Sequence, residues 1–403
     1  MGNDVDQGKV SGRTFLAWRK FRRHTLSIYG GLIVLLLYFC ALFADFIAPY
    51  DYGESAREKS FFWPTKIHWR TAAGTFCRPY VLNGYKLYDR DFTPHYVEGT
   101  ETNSELIAKH LDIPRADVDT RVYPIRLFVR RPSAPHKLFW LFHTNRRLFG
   151  IDGEGAEASA RDPHRPMVFL LGSDQLGRCV LSRILYGSRV SLSIGIVAVC
   201  ISFSIGMLVG GISGYFKGTT DVALQRLCEM MMMVPGFYLL LALRSSFPPD
   251  LSSTQVYFAV VTILAFIGWA GMARVIRGMV LGVTRNEYVM AARALGAGNL
   301  RIIVRHVLPS TISYAIVSAT MSIPAFMLGE TGLSFIGLGI QDPEASWGNM
   351  LNEARDLMTI RMHPWLLAPG LMIFITVIAF QFLGDGLRDA FDPRTIVAAK
   401  EDA

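Results

Sequence analysis

The chain has 403 residues, of which 51% are hydrophobic and 18% are charged, and its net charge is +8. Soluble domains carry roughly 25% charged residues, and here the apolar residues are concentrated in long runs with the charges between them. This distribution excludes an ordinary soluble domain. It indicates a membrane protein, in which excess Lys and Arg usually set orientation, and it does not favour nucleic-acid binding.

The first predicted elements are a basic cytoplasmic leader at residues 1–24 and a transmembrane helix at 25–48. The run from Thr25 to Ala44 contains no charge, and about 20 apolar residues suffice to cross ~30 Å of hydrocarbon. It differs from a cleavable signal because it is too long, follows a long leader and lacks a small-residue exit site.

Residues 50–170 are predicted to form a small mixed α/β extracytoplasmic insert between the first two membrane helices. Alternating stretches at 126–130 and 138–142 predict strands, and Asn103 or Ser104 is expected to cap a short helix that runs to His110. A Gly/Ala/acid-rich stretch at 153–162 is typical of a linker. The pattern does not identify a fold, and a simple spacer or docking surface remains an alternative.

The five cysteines show no CxxC pair and no metal-ligand spacing, so no metal site is predicted. Cys40, Cys200 and Cys228 lie in or beside apolar runs and are interpreted as small hydrophobic residues. Whether Cys77 and Cys179 pair is left open.

The second half of the chain contains five further apolar runs. They predict a membrane domain at 187–389 and a cytoplasmic tail at 385–403. The predicted helices are at about 190–216, 222–244, 251–273, 308–329 and 364–384. The expected fold is therefore an all-α membrane protein with six transmembrane helices and the mixed α/β insert between helices 1 and 2.

Small residues recur every fourth position in the run at 190–216, which places them on one helix-packing stripe. They are Ala198, Ser202, Gly206, Gly210 and Gly214. Such a stripe lets a neighbouring helix approach closely. The sequence does not decide between packing inside this chain and an interface with a partner chain.

The run at 222–244 contains an acidic residue and a proline. An acidic side chain inside a membrane usually faces an interior or a water path, so Glu229 is a possible pathway residue. The alternative is a local ion pair with Arg226. Pro235 is expected to kink this helix, and Glu330 and Arg244 are expected to be interfacial because they lie at the ends of runs.

Orientation follows from the charges of the short loops. The segment between the runs at 251–273 and 308–329 carries six arginines against one acid, Glu287. The leader is also basic, and with six spans the two segments fall on the same side, which the positive-inside rule makes cytoplasmic. The basic insert falls outside, but long loops are exempt from the rule.

That loop contains Glu287-Tyr-Val-Met-Ala291-Ala292-Arg-Ala-Leu-Gly296, followed by Leu308-Pro309. The adjacent alanines give a helix face that another protein can approach closely. Gly296 suits the first position after a helix, where φ is often positive. The residues alone predict either an interfacial helix with a docking face or a plain amphipathic loop helix.

The spacing Ala-Ala-x-x-x-Gly, with Leu-Pro twelve residues after the glycine, resembles the cytoplasmic loop signature of ABC importer permeases. Segments at 18–23, 172–187, 330–348 and 384–393 resemble the dipeptide, oligopeptide and nickel branch of that family. The resemblance covers about 1–50 and 168–395. The insert is longer than in the usual dipeptide member.

The resemblance implies that the loop forms a coupling helix that sits in a cleft of an ATPase subunit. The residues carried over are Glu287, Ala291, Ala292, Gly296, Leu308 and Pro309. It also implies a non-catalytic subunit that holds no cofactor itself, with ATP and Mg bound by partner subunits.

The implied partners are a second permease subunit, two ATPase subunits, an extracytoplasmic substrate-binding protein and membrane lipid. The implied location is the bacterial inner membrane, with both termini cytoplasmic, and the implied cargo is short peptides or peptide-like solutes. No phosphate-cradling GxxxxGK[ST] sequence is present.

Two alternatives remain. A membrane receptor would sense a ligand through the insert at 50–170, but it would need a larger cytoplasmic output domain than these loops provide. A secondary transporter would show inverted repeats and charged or broken helices at the midplane, for which Glu229 is the candidate.

Overall fold

The computed structural model describes residues 18–70, 75–89, 93–130, 136–138, 142–144, 146–151, 166–248 and 251–391. The leader up to residue 17, the predicted linker at 153–162 and the tail beyond residue 391 lie outside these ranges. The helices of the described chain are α1 Thr25–Leu42, α2 Ala44–Ile47, α3 Ser104–Leu111, α4 Val180–Phe216, α5 Gly218–Met233, α6 Gly236–Ser245, α7 Ser253–Val283, α8 Glu287–Ala294, α9 Asn299–Ile302, α10 Ile312–Phe335, α11 Trp347–Asn352, α12 Leu357–Met362 and α13 Ala368–Phe391.

Five helical segments are long and apolar enough to cross a membrane. They are Thr25–Leu42, Val180–Phe216, Ser253–Val283, Asn299–Phe335 and Pro364–Phe391. A sixth candidate is the pair α5 and α6, whose axes are bent by 81° at the break between them. The protein is thus a mostly helical membrane protein with five or six candidate spans.

Two helices are each longer at one end, by ten residues, than the apolar runs that predict them. The helix predicted at 190–216 begins at Val180, and the helix predicted at 251–273 continues to Val283. Both extensions carry arginines, such as Arg183 and Arg277, which hydropathy assigns to loops. They remain helical because their charges are paired, Arg183 with Asp174 and Asp342, and Arg277 with Asp221.

The predicted kink at Pro235 is a complete break. Val234 and Pro235 both adopt extended backbone conformations between α5 and α6. The physical reason is that proline disfavours a helical conformation of the residue before it and cannot donate to the helix. One predicted helix is therefore two.

The insert contains a four-stranded antiparallel sheet in the order β1-β2-β5-β8 and two separate hairpins, β3-β4 and β6-β7. The strands are β1 His68–Arg70, β2 Phe76–Leu82, β3 Gly84–Tyr88, β4 Pro94–Glu98, β5 Val122–Arg130, β6 His136–Leu138, β7 Phe142–Thr144 and β8 Arg146–Ile151. β5 covers the stretch predicted at 126–130, and α3 covers the predicted short helix. The first turn of α3 follows Asn103. The Asn103 side chain donates to the Glu98 carbonyl and does not cap the helix.

The insert rests on the membrane helices through buried contacts. Arg147 of β8 donates to the carbonyl of Ala48, just after α2, at 2.9 Å, and the amide of Tyr50 donates to the hydroxyl of Ser182 of α4 at 3.2 Å. Cys77 and Cys179 are both free. Cys179 is fully buried at the start of α4, so the disulfide that the sequence left open does not form.

Candidate functional site

The loop segment at 287–296 is a two-turn helix, α8, with a defined start and end. Asn286 precedes it in an extended conformation, and Glu287 places a negative charge in the first turn, where the helix dipole favours it. At the end, Gly296 has φ of +79° and its amide donates to the Arg293 carbonyl. The amide of Ala297 donates to Ala292, which completes a Schellman motif. The prediction that Gly296 follows the helix with a positive φ is confirmed.

The inner face of α8 is fixed to the ends of the long helices. Val289 and Ala292 are buried, and they belong to one apolar cluster with Tyr215 of α4 and Val280 of α7. The guanidinium of Arg293 lies 5.2 Å from the centre of the Tyr215 ring. A displacement of α8 must therefore move α4 and α7 as well, because close-packed side chains transmit strain.

The outer face of α8 is largely exposed, and the Asn286 side chain donates to the Tyr288 hydroxyl at 3.5 Å. Glu287, Ala291 and Gly296 are exposed, and Tyr288, Met290 and Leu295 leave 47%, 54% and 87% of their surface exposed. Exposed apolar side chains grouped in this way mark an interaction surface. We call this group the loop surface. The sequence-predicted residues Glu287, Ala291 and Gly296 all belong to it, whereas Ala292 lies on the inner face.

Leu308 and Pro309 occupy a different position. Leu308 is buried beneath α4, where its side chain lies 2.9 Å from the position a Cβ would take at Gly211. Pro309 is exposed in the 3-10 turn Leu308–Thr311, which follows the π-helical turn Ile303–Val307. The pair therefore anchors the start of α10 and does not contribute a second patch to the loop surface.

The packing stripe of α4 faces α7. A Cβ at Gly206 would lie 2.8 Å from the Trp269 carbonyl oxygen, and one at Gly214 would lie 2.8 Å from that of Arg277. Gly210 fits against Ala273 in the same way, and Ala198 and Ser202 are fully buried. All five residues thus serve packing inside this chain, which was one of the two alternatives.

An ion pair that the sequence analysis missed holds α5 beside this helix pair. Asp221 is buried, its carboxylate accepts from Arg277 of α7 at 2.5 and 3.1 Å, and Ser213 of α4 donates to it at 2.5 Å. The available signal was an acid and a base at the edges of two apolar runs. They are 56 residues apart, so only the fold brings them together.

Glu229 lies on the exposed side of α5. Its side chain is 41% exposed and lies 2.8 Å from Arg226, which is the local ion pair that the sequence analysis held as the alternative. Its role in a pathway stays a prediction.

Glu330 was expected to be interfacial at the end of its apolar run, and the structure shows that its side chain lies inside the protein. It is completely buried in α10, where Ser334 donates to it at 2.7 Å and Ser191 of α4 lies 3.5 Å away. Serine hydroxyls on two helices supply the hydrogen bonds that water would otherwise provide. Arg244, expected to be interfacial for the same reason, is also buried.

A five-residue ionic cluster lies at the other end of α4, beside the insert. We call it the insert-end cluster; its members are Asp174, Arg178, Arg183, Asp342 and Glu353. Arg178 lies 2.5 Å from Asp174, 2.6 Å from Asp342 and 3.3 Å from Glu353. Arg183 lies 3.0 Å from Asp342. Ion pairs thereby link the segment 174–183 to Asp342 and to Glu353.

Two arginines face three carboxylates in this cluster. Burial and the charge of Asp174 raise the pKa of Glu353 to about 7, whereas the two arginines lower the pKa of Asp342 against the opposing effect of burial. The net charge of the five side chains is therefore close to zero when Glu353 is protonated.

Comparison with known proteins gives consistent matches. A family model described as the binding-protein-dependent transport system inner membrane component matches residues 206–397. A second model, the N-terminal TM domain of oligopeptide transport permease C, matches residues 14–64.

Two relatives and one solved structure define these similarities further. The dipeptide transport system permease protein DppC of Bacillus subtilis is 41% identical over 225 residues, which are 55% of this chain and 68% of that protein. The glutathione transport system permease protein GsiD of Pectobacterium atrosepticum is 41% identical over 224 residues, or 56% and 72%. A structure of the MetNI methionine ABC transporter is 16% identical, with a TM-score of 0.40, over 52% of this chain and 97% of that one.

Proposed function

The chain belongs to the family of binding-protein-dependent transport system inner membrane components, and from this we propose that it is the permease subunit of an ATP-driven importer of short peptides or peptide-like solutes. The two relatives are named for transport of a dipeptide and of glutathione, which is a tripeptide. Their shared cargo chemistry is a small solute with peptide bonds and free carboxylates.

The observation that carries the mechanism is the two-sided character of α8. Its outer face, the loop surface, is exposed and partly apolar, while its inner face is buried against Tyr215 of α4 and Val280 of α7. We propose that one of two ATPase subunits, which bind ATP and Mg, holds the loop surface. Closure of the ATPases would then be transmitted through α8 to the ends of two membrane helices.

The remaining assembly is proposed on the same basis. A second permease subunit would complete the transport path, and an extracytoplasmic binding protein would deliver the solute. In this arrangement α5 and α6 act together as one broken span, which brings the count to six. Both termini and the loop surface then lie in the cytoplasm, and the insert lies outside.

Substitution of Gly296, with Gly298 as its control, tests the coupling role of α8. Gly296→Val forces a β-branched residue into a positive φ, which costs about 1–2 kcal/mol or more and distorts the end of α8. We expect ATP-dependent uptake in reconstituted vesicles to fall several-fold while ATP hydrolysis by the complex continues. Glu287→Gln, on the exposed face of the same helix, should weaken coupling in the same direction.

Gly298→Val is the matched control. Gly298 is also exposed, has an extended backbone with φ of −65° and has nothing within 4 Å of an added Cβ. It should leave uptake and its coupling to hydrolysis unchanged. Coupled uptake of normal efficiency in Gly296→Val, or failure of any ATPase subunit to co-purify, would contradict the proposal.

A further inference from the structure

The insert contains a cavity of about 360 Å³ beside the membrane helices. One wall is the segment Phe62 to Lys66, which leads into β1, and the other is strand β4, Pro94–Glu98. Leu82 and Gly84 form the floor between them. The volume falls in the range of about 300–1,000 Å³ that is typical of small-molecule sites.

Three aromatic side chains, Phe62, Trp63 and Tyr96, line the walls. Phe62 is buried and lies edge-on to Tyr96 at 5.2 Å, while Trp63 contacts Tyr96 at 5.5 Å and yet leaves half of its surface exposed. The hydroxyl of Tyr96 donates to the Phe61 carbonyl at 2.5 Å, which fixes the ring in place. An exposed tryptophan held rigidly at a cavity mouth provides a stacking surface at low entropic cost.

The rim of the cavity carries both signs of charge. Lys66 is exposed and, within the described ranges, makes no hydrogen bond or ion pair. Glu98, on the opposite wall, lies 3.0 Å from His68. A ligand with a free carboxylate would therefore find an available cation, and one with an amine would find an acid.

The cavity is also joined to the membrane part of the protein. Trp63 lies 5.5 Å from Trp365, whose indole nitrogen donates to the Ser173 carbonyl at the start of the insert-end cluster. Phe61, next to the cavity wall, stacks on His363 at 4.5 Å. Whatever occupies the cavity would contact elements that begin the last membrane helix.

We infer that this cavity binds a short peptide whose apolar or aromatic C-terminal side chain lies between the rings and whose free carboxylate meets Lys66. The inference of a peptide, as opposed to another amphiphilic acid, rests on the proposed function. The site lies in the insert, outside the segments matched by the family models, apart from the wall at 62–64.

Calorimetric titration of the purified full-length chain in detergent tests the site, with the dipeptide Ala-Phe as probe. Ala-Phe amide lacks the carboxylate and Ala-Ala lacks the ring, so both should bind more weakly. Trp63→Ala should weaken Ala-Phe binding about tenfold through lost stacking and buried area. Lys66→Gln should abolish the preference for the acid over the amide.

Matched controls lie on the same insert. Trp69→Ala removes an equally exposed tryptophan on β1, and Lys109→Gln removes an exposed lysine on α3, and neither residue lines the cavity. Both should bind Ala-Phe like the unmodified chain. Absence of saturable binding to the unmodified chain overturns the inference. Equal affinity of the unmodified chain and Trp63→Ala, or an unchanged acid preference in Lys66→Gln, also overturns it.

ATP-dependent uptake by the assembled importer separates this inference from the proposed function. A complex that takes up solute although its chain binds no Ala-Phe refutes the cavity alone. A chain that binds Ala-Phe in the cavity but supports no ATP-dependent uptake refutes the transport role alone.

Discussion

Glu353 shows how a single residue sets the charge state of the insert-end cluster. Its carboxyl lies 3.3 Å from Arg178 and accepts from the amide of Gln175 at 3.1 Å. Because burial and Asp174 raise its pKa to about 7, above the ordinary value of 4.5, the folded protein binds this proton more tightly than the unfolded chain. The associated stability is full below about pH 4.5 and is lost as the pH rises through 7.

Glu353→Gln keeps the hydrogen-bonding shape but removes the titration. At pH 8 we expect this variant to be more stable than the unmodified chain by roughly 1–3 kcal/mol, and the difference should shrink at pH 5. Thermal unfolding in detergent, followed by circular dichroism at both pH values, measures the difference. Comparing two variants at each pH cancels the opposite contribution of His363, whose pKa burial lowers to about 4.

Glu58→Gln is the control for this measurement, since Glu58 is exposed in the insert and should leave the pH dependence unaltered. A Glu353→Gln variant that is less stable at pH 8 than at pH 5, relative to the unmodified chain, would show that the carboxylate form is the favoured one.

The sequence predicted the conformation or contacts of a single residue correctly where these depend on its neighbours in the chain. Gly296 could be assigned because a helix end and its positive φ depend on adjacent residues. The positions of Glu330 and Arg178 could not be assigned, because each has a distant partner as well as one four residues away: Ser191 is 139 residues from Glu330, and Asp342 is 164 residues from Arg178. Sequence spacing contains no information about such pairs.

Among the helices, α4 and α7 depend most on the absence of side chains at their contact. Gly210→Leu would place its Cβ against the Ala273 carbonyl and the Ile276 side chain. We expect a loss of about 2–3 kcal/mol or more, since the backbone must move to relieve the overlap. The measurement is the thermal unfolding midpoint of the purified chain, together with its yield in the membrane.

Gly282→Leu provides the comparison for that substitution. Gly282 lies on α7 with nothing within 4 Å of an added Cβ, and leucine is a better helix former than glycine. Its unfolding midpoint should be unchanged or higher. Equal stability of Gly210→Leu and Gly282→Leu would mean that the stripe does not hold the two helices together.

The sequence located the membrane helices but not their ends or their continuity. Apolar runs predict the buried middle of each helix, whereas the ends of α4 and α7 carry arginines whose partners appear only in three dimensions. The break at Pro235 was visible as a local signal, but its 81° bend depends on what each half packs against. The direction of the small-residue stripe, toward α7, was likewise undetermined.

At the scale of the whole molecule, the orientation depends on α5 and α6. Their 16 and 10 residues extend about 24 and 15 Å, so neither alone spans ~30 Å of hydrocarbon. If the pair crosses the membrane together, the loop surface and the N-terminus lie on the same side. If the pair turns back, the loop surface lies on the outer side.

Single-cysteine labelling of intact spheroplasts decides between these arrangements. In a background without the five native cysteines, Leu295→Cys on the loop surface should resist a membrane-impermeant maleimide until the cells are opened, since Leu295 is 87% exposed to the cytoplasm in the proposed topology. Trp69→Cys in the insert should react at once. Labelling of Leu295→Cys in sealed spheroplasts would contradict the cytoplasmic docking of an ATPase.

The 37 residues of α4 form one continuous helix about 55 Å long, from the neighbourhood of the insert-end cluster to Tyr215. A rigid helix of this length can pivot about the contact that its glycines make with α7. A tilt of only about 5° would carry its far end through roughly 5 Å relative to the other. A small displacement at the Tyr215 end of α4 would thus reach the insert-end cluster, because the helix contains no break that could absorb it.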